Sequence, residues 1–424
     1  MRLGTRRGIG GLSVSVSLLT LTFVSSPWCM AASLADFTRC ISPQGQGPVC
    51  QLDAGDYQLQ TPFAIGRSNL TIKGTFTKSL ADTTLRRAPG STRALIAAYD
   101  RSPNLAGITI RDFTFDGGGA RPDADSIETD VRMISVKSLL ITNCAFINSP
   151  LIALGLGGNL ANGYTSGAVI NNVSIDNVGK LGLIALTKAD SPGRSLTCGS
   201  DGYSSNIVIA NSTFKNVGAN AIYLEAQRVQ VINNTAQHNH FTSPYNAPGG
   251  QFAVGICADD IAMVNNRISD APIAPNGFQG EGIELHGTNL MIVDNTITNN
   301  AGNGINMSGV QHVFIANWKP GTGVSSNNVG AGYVAGISLY TPVHYGTSFG
   351  LTERPVDGIT IDHAVSVDGR LAGIGVFLKD NQMTPINHVT ITNNCLAGNL
   401  QGPTNLSGLG PAVRISNNLS AGCP

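Results

Sequence analysis

Two short stretches bring together the side chains best suited to acid–base chemistry. In "AIYLEAQ" (221–227), Tyr223 and Glu225 alternate with Ile222 and Leu224; in "GIELHG" (282–287), Glu284 and His286 alternate with Ile283 and Leu285. Such alternation belongs to a strand with one buried face, so the phenol, the two acids and the imidazole share the outer face. Two carboxyl groups held there could work as a pair, one protonating a leaving oxygen while the other activates water, at a separation of ~6.5–9.5 Å for inversion. Asp259 and Asp260, in the segment between, offer a substitute second carboxylate or hard oxygen ligands for a cation such as Ca²⁺. An aspartate pair that merely opens a turn accounts for them equally well. His286 could shuttle a proton or bind substrate. Any one of these groups alone reads as a solvated surface residue; the combination points to function.

The strands that hold them belong to a series. "AIYLEAQRVQVINNTA" (221–236), "AVGICADDIAMVNNRI" (253–268) and "GIELHGTNLMIVDNTI" (282–297) superpose without gaps, and "GINMSGVQHVFIANWK" (304–319) follows the same template. Looser copies include "MISVKSLLITNCAF", "NIVIANSTF", "HVTITNNCL" and "VRISNNL". Each copy reads as a strand, a bend, a second strand, a polar turn and a third short strand. A repeat of this length without helical periodicity describes a solenoid of short strands, its coils stacked ~4.8 Å apart. Asn234, Asn266, Asn295, Asn394 and Asn418 recur at the bend after the second strand. Asparagine tolerates the left-handed conformation such a bend needs, and its amides can hydrogen-bond from coil to coil.

With this repeat and its asparagine turns, the chain resembles the right-handed parallel β-helix (pectin lyase-like) superfamily typified by pectate lyases and polygalacturonases, over roughly residues 60 to 423. The resemblance implies an all-β, single-domain solenoid over 60–424, preceded by an N-terminal cap at 33–59. There "SLADFTRCI" (33–41) looks like the short amphipathic helix that plugs the open end in this family. It also implies an extracellular polysaccharide as substrate. Outward positions of the first strand then form a column: Ser135/Lys137, Ala153/Gly155, Ala185/Thr187, Tyr223/Glu225, Gly255/Cys257, Glu284/His286, Asn306/Ser308, Ser338/Tyr340 and Gly375/Phe377. Gly-, Pro- and Ser-rich insertions at 188–205, 240–251, 269–281 and 341–357 flank the middle of this column. Long loops on a rigid scaffold concentrate function, so a groove is expected over Tyr223, Glu225, Glu284 and His286. Asn306, Tyr340, Tyr245 and Phe278 are its expected substrate contacts, the aromatic rings as stacking surfaces for sugars. Lys188 is positioned to bind an acidic sugar, and Lys137 lies farther along.

The motifs of particular branches are missing. Polygalacturonase-like enzymes carry Asn-Thr-Asp, Asp-Asp, Gly-His-Gly and Arg-Ile-Lys on successive coils; only Asp259–Asp260 and Leu285–Gly287 echo them here. The Asp-Pro-His motif of alginate epimerases of this fold is also absent. No catalytic residue is therefore carried over from one branch. The central carboxylates make glycoside hydrolysis the first expectation, with Glu225 and Glu284 as acid and base. β-Elimination of a uronan by His286, Tyr223 and Lys188, and a non-catalytic carbohydrate-binding β-helix, are the alternatives.

Composition sets outer bounds. Formal net charge is zero and 12% of residues are charged, which excludes the basic face a nucleic-acid binder needs. Arg2, Arg6 and Arg7 precede the apolar run "LSVSVSLLTLTFV" and the small residues near Ala31 and Ala32, the pattern of a signal peptide over 1–32. A secreted or periplasmic monomer follows, with no membrane segment after processing and no obligatory cofactor. Export permits disulfides, with Cys40 and Cys50, and Cys395 and Cys423, as candidate staples of the two ends. Cys144, Cys198 and Cys257 lack CxxC spacing and are expected to be buried thiols rather than zinc ligands.

Overall fold

The computed structural model describes residues 29–31, 33–76, 81–99, 105–119, 129–159, 163–185, 204–237, 252–272, 280–325, 335–340, 356–369, 372–377, 386–400, 402, 404–406, 409 and 412–422. Its strands join into three parallel ladders. The first runs through Ile96–Ala98, Val131–Ile134, Ile152–Asn159, Leu181–Ala185, the first halves of Asn220–Ile232, Phe252–Val264, Glu281–Val293 and Ile305–Ala316, then Ala335–Tyr340 and Ala372–Phe377. The second halves of those four long strands belong to the second ladder, which starts at Cys29–Ala31, paired with Val49–Leu52, and ends at Val413–Ser416. The third contains the short strands, among them Thr235–Gln237, Arg267–Ser269 and Thr296–Thr298. Alternation within each strand sends Ile222, Leu224, Ile256, Leu285, Met307 and Leu339 into one continuous core.

The corners explain the recurrent asparagine pairs. In each pair the first residue takes the left-handed conformation: Asn233, Asn265, Asp294, Asn393 and Asn417 all have φ between 53 and 57°. The second turns inward and stacks. Asn234 donates from its backbone N and its Nδ2 to Asn266 Oδ1 (3.0 and 3.1 Å), and Asn266 does the same to Asn295 (3.0 and 2.8 Å). The left-handed geometry expected of Asn234, Asn266, Asn295, Asn394 and Asn418 thus belongs to their predecessors, while the coil-to-coil amide bonding is theirs.

The N-terminal end is closed as the resemblance implied. Helix Leu34–Ile41 is capped by Ser33, whose Oγ accepts from the Asp36 N–H, and it buries Phe37, Cys40 and Ile41. The Phe37 ring meets Phe63 edge-on at 4.8 Å, and a disulfide joins Cys40 to Cys50. Farther along, the buried Arg87 guanidinium is paired with Asp130, which also accepts from the Ser149 hydroxyl, so three coils are tied at one corner. Cys395 is disulfide-bonded and Cys144 is a buried thiol; Cys423 and Cys198 lie outside the described residues. Cys257 corrects the expectation for it: it is buried, but in a disulfide rather than as a thiol. Among the described residues no helix is long and apolar enough to cross a membrane.

Candidate functional site

The outer face of the first ladder carries two adjacent rows. One runs Arg132, Gly155, Ile184, Tyr223, Gly255, Glu284, Asn306, Ser338 and Gly375. Two residues on, the other brings Glu225, Cys257 and His286 side by side, with Ser308, Tyr340 and Phe377 continuing it. Tyr223 and Glu284 therefore share one row, and Glu225 and His286 the other, with the Gly255–Cys257 strand between. Having no side chain, Gly255 leaves a notch between the phenol and the Glu284 carboxyl.

Each strand makes its own pair across two residues. The Tyr223 hydroxyl donates to Glu225 Oε1 at 3.1 Å, and His286 Nε2 lies 3.2 Å from Glu284 Oε1. Glu225 is 4% exposed, Glu284 8% and His286 2%, although all three point away from the core. Burial, the charge and hydrogen bond of Glu225, and the charge of Glu284 push the Tyr223 phenol above its ordinary value, so it stays protonated.

The imidazole's second bond settles where protons can sit. His286 Nδ1 is 2.9 Å from the Ser308 carbonyl, which can only accept, so Nδ1 carries hydrogen. Nε2 and Glu284 Oε1 can then approach at hydrogen-bond distance only with one proton between them. A bulge brings the carbonyl within reach. Leu285 pairs with Met307 but Gly287 pairs with Val310, so one extra residue is accommodated beside His286. Gly287 (φ 127°) is required there, because a Cβ would stand 1.7 Å from the Ala258 carbonyl oxygen.

A third carboxylate, Glu281, opens the same strand. It accepts from Asn306 Nδ2 at 3.0 and 2.9 Å and from Asn303 Nδ2 at 3.0 Å. With its NH₂ group engaged, the Asn306 amide must aim Oδ1 elsewhere, and Oδ1 is buried without a partner; so is Ser308 Oγ in the neighbouring row. An unmet buried polar atom costs ~1–3 kcal/mol. The sequence reading passed over Glu281 and Asn303. Glu281 lies at the boundary between an insertion and its strand, where alternation does not yet assign a face.

The structure thus brings together Tyr223, Glu225, Glu284, His286 and Asn306. It places Asp259 and Asp260 at the corner with the second ladder. Asp259 accepts from the Thr288 N–H and hydroxyl (3.0 and 2.7 Å), while Asp260 (φ 59°) is exposed and accepts from Asn289 Nδ2 at 2.8 Å. These bonds join stacked corners of adjacent coils, and no group of three His, Cys, Asp or Glu converges as for a metal among the described residues. Tyr340 stands opposite Ser308 and Phe377. Lys188, Tyr245 and Phe278 lie outside the described residues, as do most of the insertions. Three coils register differently from the expectation, and in one of them Gly155 occupies the row of Tyr223 instead of Ala153. Ile184 occupies the row instead of Ala185, and Arg132 instead of Ser135, with Lys137 beginning a strand of the second ladder. Arg132 is the only lysine or arginine of the two rows among the described residues.

No protein-family model matches the chain, and no curated sequence does either. Solved structures do. The A-module of the mannuronan C-5 epimerase AlgE4 of Azotobacter vinelandii is similar at TM-score 0.62 and 16% identity, over 90% of this chain and 95% of that one. A point mutant of the periplasmic alginate epimerase AlgG gives 0.56 and 10%, over 99% and 100%. The catalytic unit of a GH87 α-1,3-glucanase from Streptomyces thermodiastaticus gives 0.54 and 15%, over 92% and 65%. What the chain shares with all three is the right-handed parallel β-helix, here all-β with one capping helix at its N-terminal end.

Proposed function

We propose that the chain is a secreted or periplasmic polysaccharide-cleaving enzyme that hydrolyses a glycosidic bond over the Tyr223–Glu284 and Glu225–His286 rows. The observation that carries this reading is the pair of buried, outward-facing carboxyl groups in contrasting hydrogen-bond settings. Glu225 receives a phenol hydrogen bond, which favours its ionised form and suits a general base. Glu284 shares a proton with His286, which suits a general acid. Two rungs and two residues put their Cα atoms roughly 12 Å apart. Facing side chains shorten that toward the ~6.5–9.5 Å that admits a water for inversion. Asn306 Oδ1 and Ser308 Oγ would bind sugar hydroxyls, meeting the hydrogen-bonding capacity that the protein leaves open.

Glu225→Gln and Glu284→Gln should each lower kcat/KM by about 10²–10⁴-fold, the range of general acid–base catalysis. The first product seen by proton NMR should have the inverted anomeric configuration. Retained configuration would replace the base with a nucleophile, and undiminished turnover in both variants would remove the hydrolase reading.

A second reading draws on the neighbours named for mannuronan and alginate epimerisation. Abstraction of a uronate C5 proton, common to elimination and epimerisation, would use His286 as base and the Tyr223 phenol as acid. Lys188 or Arg132 would then face the uronate carboxylate. It ranks second because the carboxyl groups of Glu225 and Glu281 flank the site while the Glu284–His286 pair with its shared proton adds no net positive charge, and Arg132 stands three strands from Tyr223. A bound Ca²⁺ would offset that charge, and the chelator arm of the closing experiment tests for it.

A further inference from the structure

The second ladder has an outer face that the proposed reaction does not use. Its central row runs Val208, Gln230, Ala262, Met291, Phe314 and Thr360 on successive coils. Trp318 follows the Phe314 strand, and its indole leans on the Phe314 ring with centroids 5.7 Å apart and planes inclined at 44°. Trp318 is 60% exposed and Met291 41%, so the indole, the Phe314 ring and the thioether lie next to one another on this face. The platform is held from below. Asp294 Oδ1 accepts from the backbone N–H of both Trp318 and Lys319, and Lys319 Nζ donates to Asn265 Oδ1.

Across Met291 from the aromatic end, at the Val208–Ala262 end of the row, lies a hollow of about 450 Å³, lined by Val208, Ile261 and Ala262 and by Asn206, Arg228, Gln230, Asp260 and Asn289. Two rim contacts are set in advance: Arg228 Nε donates to Asn206 Oδ1 at 2.6 Å, and Asn289 Nδ2 to Asp260 Oδ1 at 2.8 Å. The rim therefore offers planar amides with one guanidinium and one carboxylate, whose charges cancel. Ala262 and Met291 are neighbours in the row, so hollow and platform form one track along the helix axis.

We propose that this track is a second carbohydrate-binding surface, taking a neutral pyranose chain with one ring on Trp318 and hydroxyls on the Gln230, Asn289 and Arg228 side of the hollow. A flat apolar ring beside planar donors and acceptors matches a sugar, which is apolar on its axial C–H face and polar around its edge. A second protein copy is the poorer occupant. A stable protein interface buries ~800 Å² per partner around a dehydrated apolar centre, and here one indole, one phenyl edge and one thioether adjoin a polar hollow. The proposal does not rest on cleavage at the first ladder.

Trp318 itself supplies the readout. The chain has two tryptophans, and Trp28 lies in the segment 1–32 read as a signal peptide, so removal of that segment, or Trp28→Phe in the full chain, leaves Trp318 as the sole emitter. Titration with a soluble β-glucan, an α-glucan, a galactan and mannuronan should change its emission with at least one neutral chain. In affinity electrophoresis against that polysaccharide, Trp318→Ala should raise Kd about tenfold or more, while Glu284→Gln leaves the emission change intact. Silence of Trp318 across the panel overturns the proposal, even where reducing ends are released. So does an emission change that follows protein concentration rather than sugar, which would assign the face to self-association. Binding without cleavage would uphold the track and count against the hydrolase reading alone.

Discussion

The Tyr223 phenol ties the chemistry of the site to the stability of the fold. Burial and its acidic neighbours raise it above its usual value, whereas the unfolded chain releases that proton near pH ~10. Above that pH the folded state holds the extra proton, so stability falls as pH rises toward the folded value. Tyr223→Phe should remove this part of the alkaline decline in thermal melts between pH 9 and 11; an unchanged decline would mean the phenol ionises freely. At this scale the sequence was informative where alternation was clean. Tyr223, Glu225, Glu284 and His286 sit between apolar partners and fell on the right face. Glu281 begins its strand and escaped notice. Asp259 and Asp260 had the right chemistry on the wrong side of a corner, which only the positive φ of Asp260 reveals.

Among the elements, the stacked amides carry the most specific structural load. Asn266 Oδ1 accepts from Asn234, and its Nδ2 donates to the Val231 carbonyl at 2.7 Å as well as to Asn295. Asn266→Ala strands a buried N–H and a buried carbonyl together, so a loss of about 2–4 kcal/mol is expected in denaturant unfolding. A loss within error of zero would mean that water replaces the amide. The repeat and its asparagines were legible because each coil must solve the same corner problem. Division of labour within each pair was not, since one residue type can supply either the left-handed bend or the stacked amide. Register was lost in the coils without the full template, where Ile184 and Arg132 lie in rows assigned to other residues.

For the molecule as a whole, a solenoid is most exposed at its ends, where a coil has one neighbour instead of two. The helix Leu34–Ile41 covers the first coil, and the Cys40–Cys50 bond pins it. Replacing both cysteines by serine should cost about 2–3 kcal/mol. Early hydrogen exchange should be confined to the cap and the Val49–Leu52 strand; uniform loss of protection along the helix would show that the coils unfold as one unit. The fold was readable because a solenoid writes its architecture once per coil. The candidate site is written only once, in groups contributed by several coils, and the same fold is that of epimerases and a glucanase among the structural neighbours.

The most direct measurement incubates the protein with neutral and uronate polysaccharides, with and without chelator. It follows reducing ends and the ultraviolet absorbance of unsaturated uronate together. New reducing ends without absorbance, lost in Glu284→Gln and indifferent to chelator, are the predicted result. Absorbance rising with the ends would contradict hydrolysis and move the reaction to His286 and Tyr223, and bound polysaccharide left uncleaved would contradict a chain-cleaving enzyme.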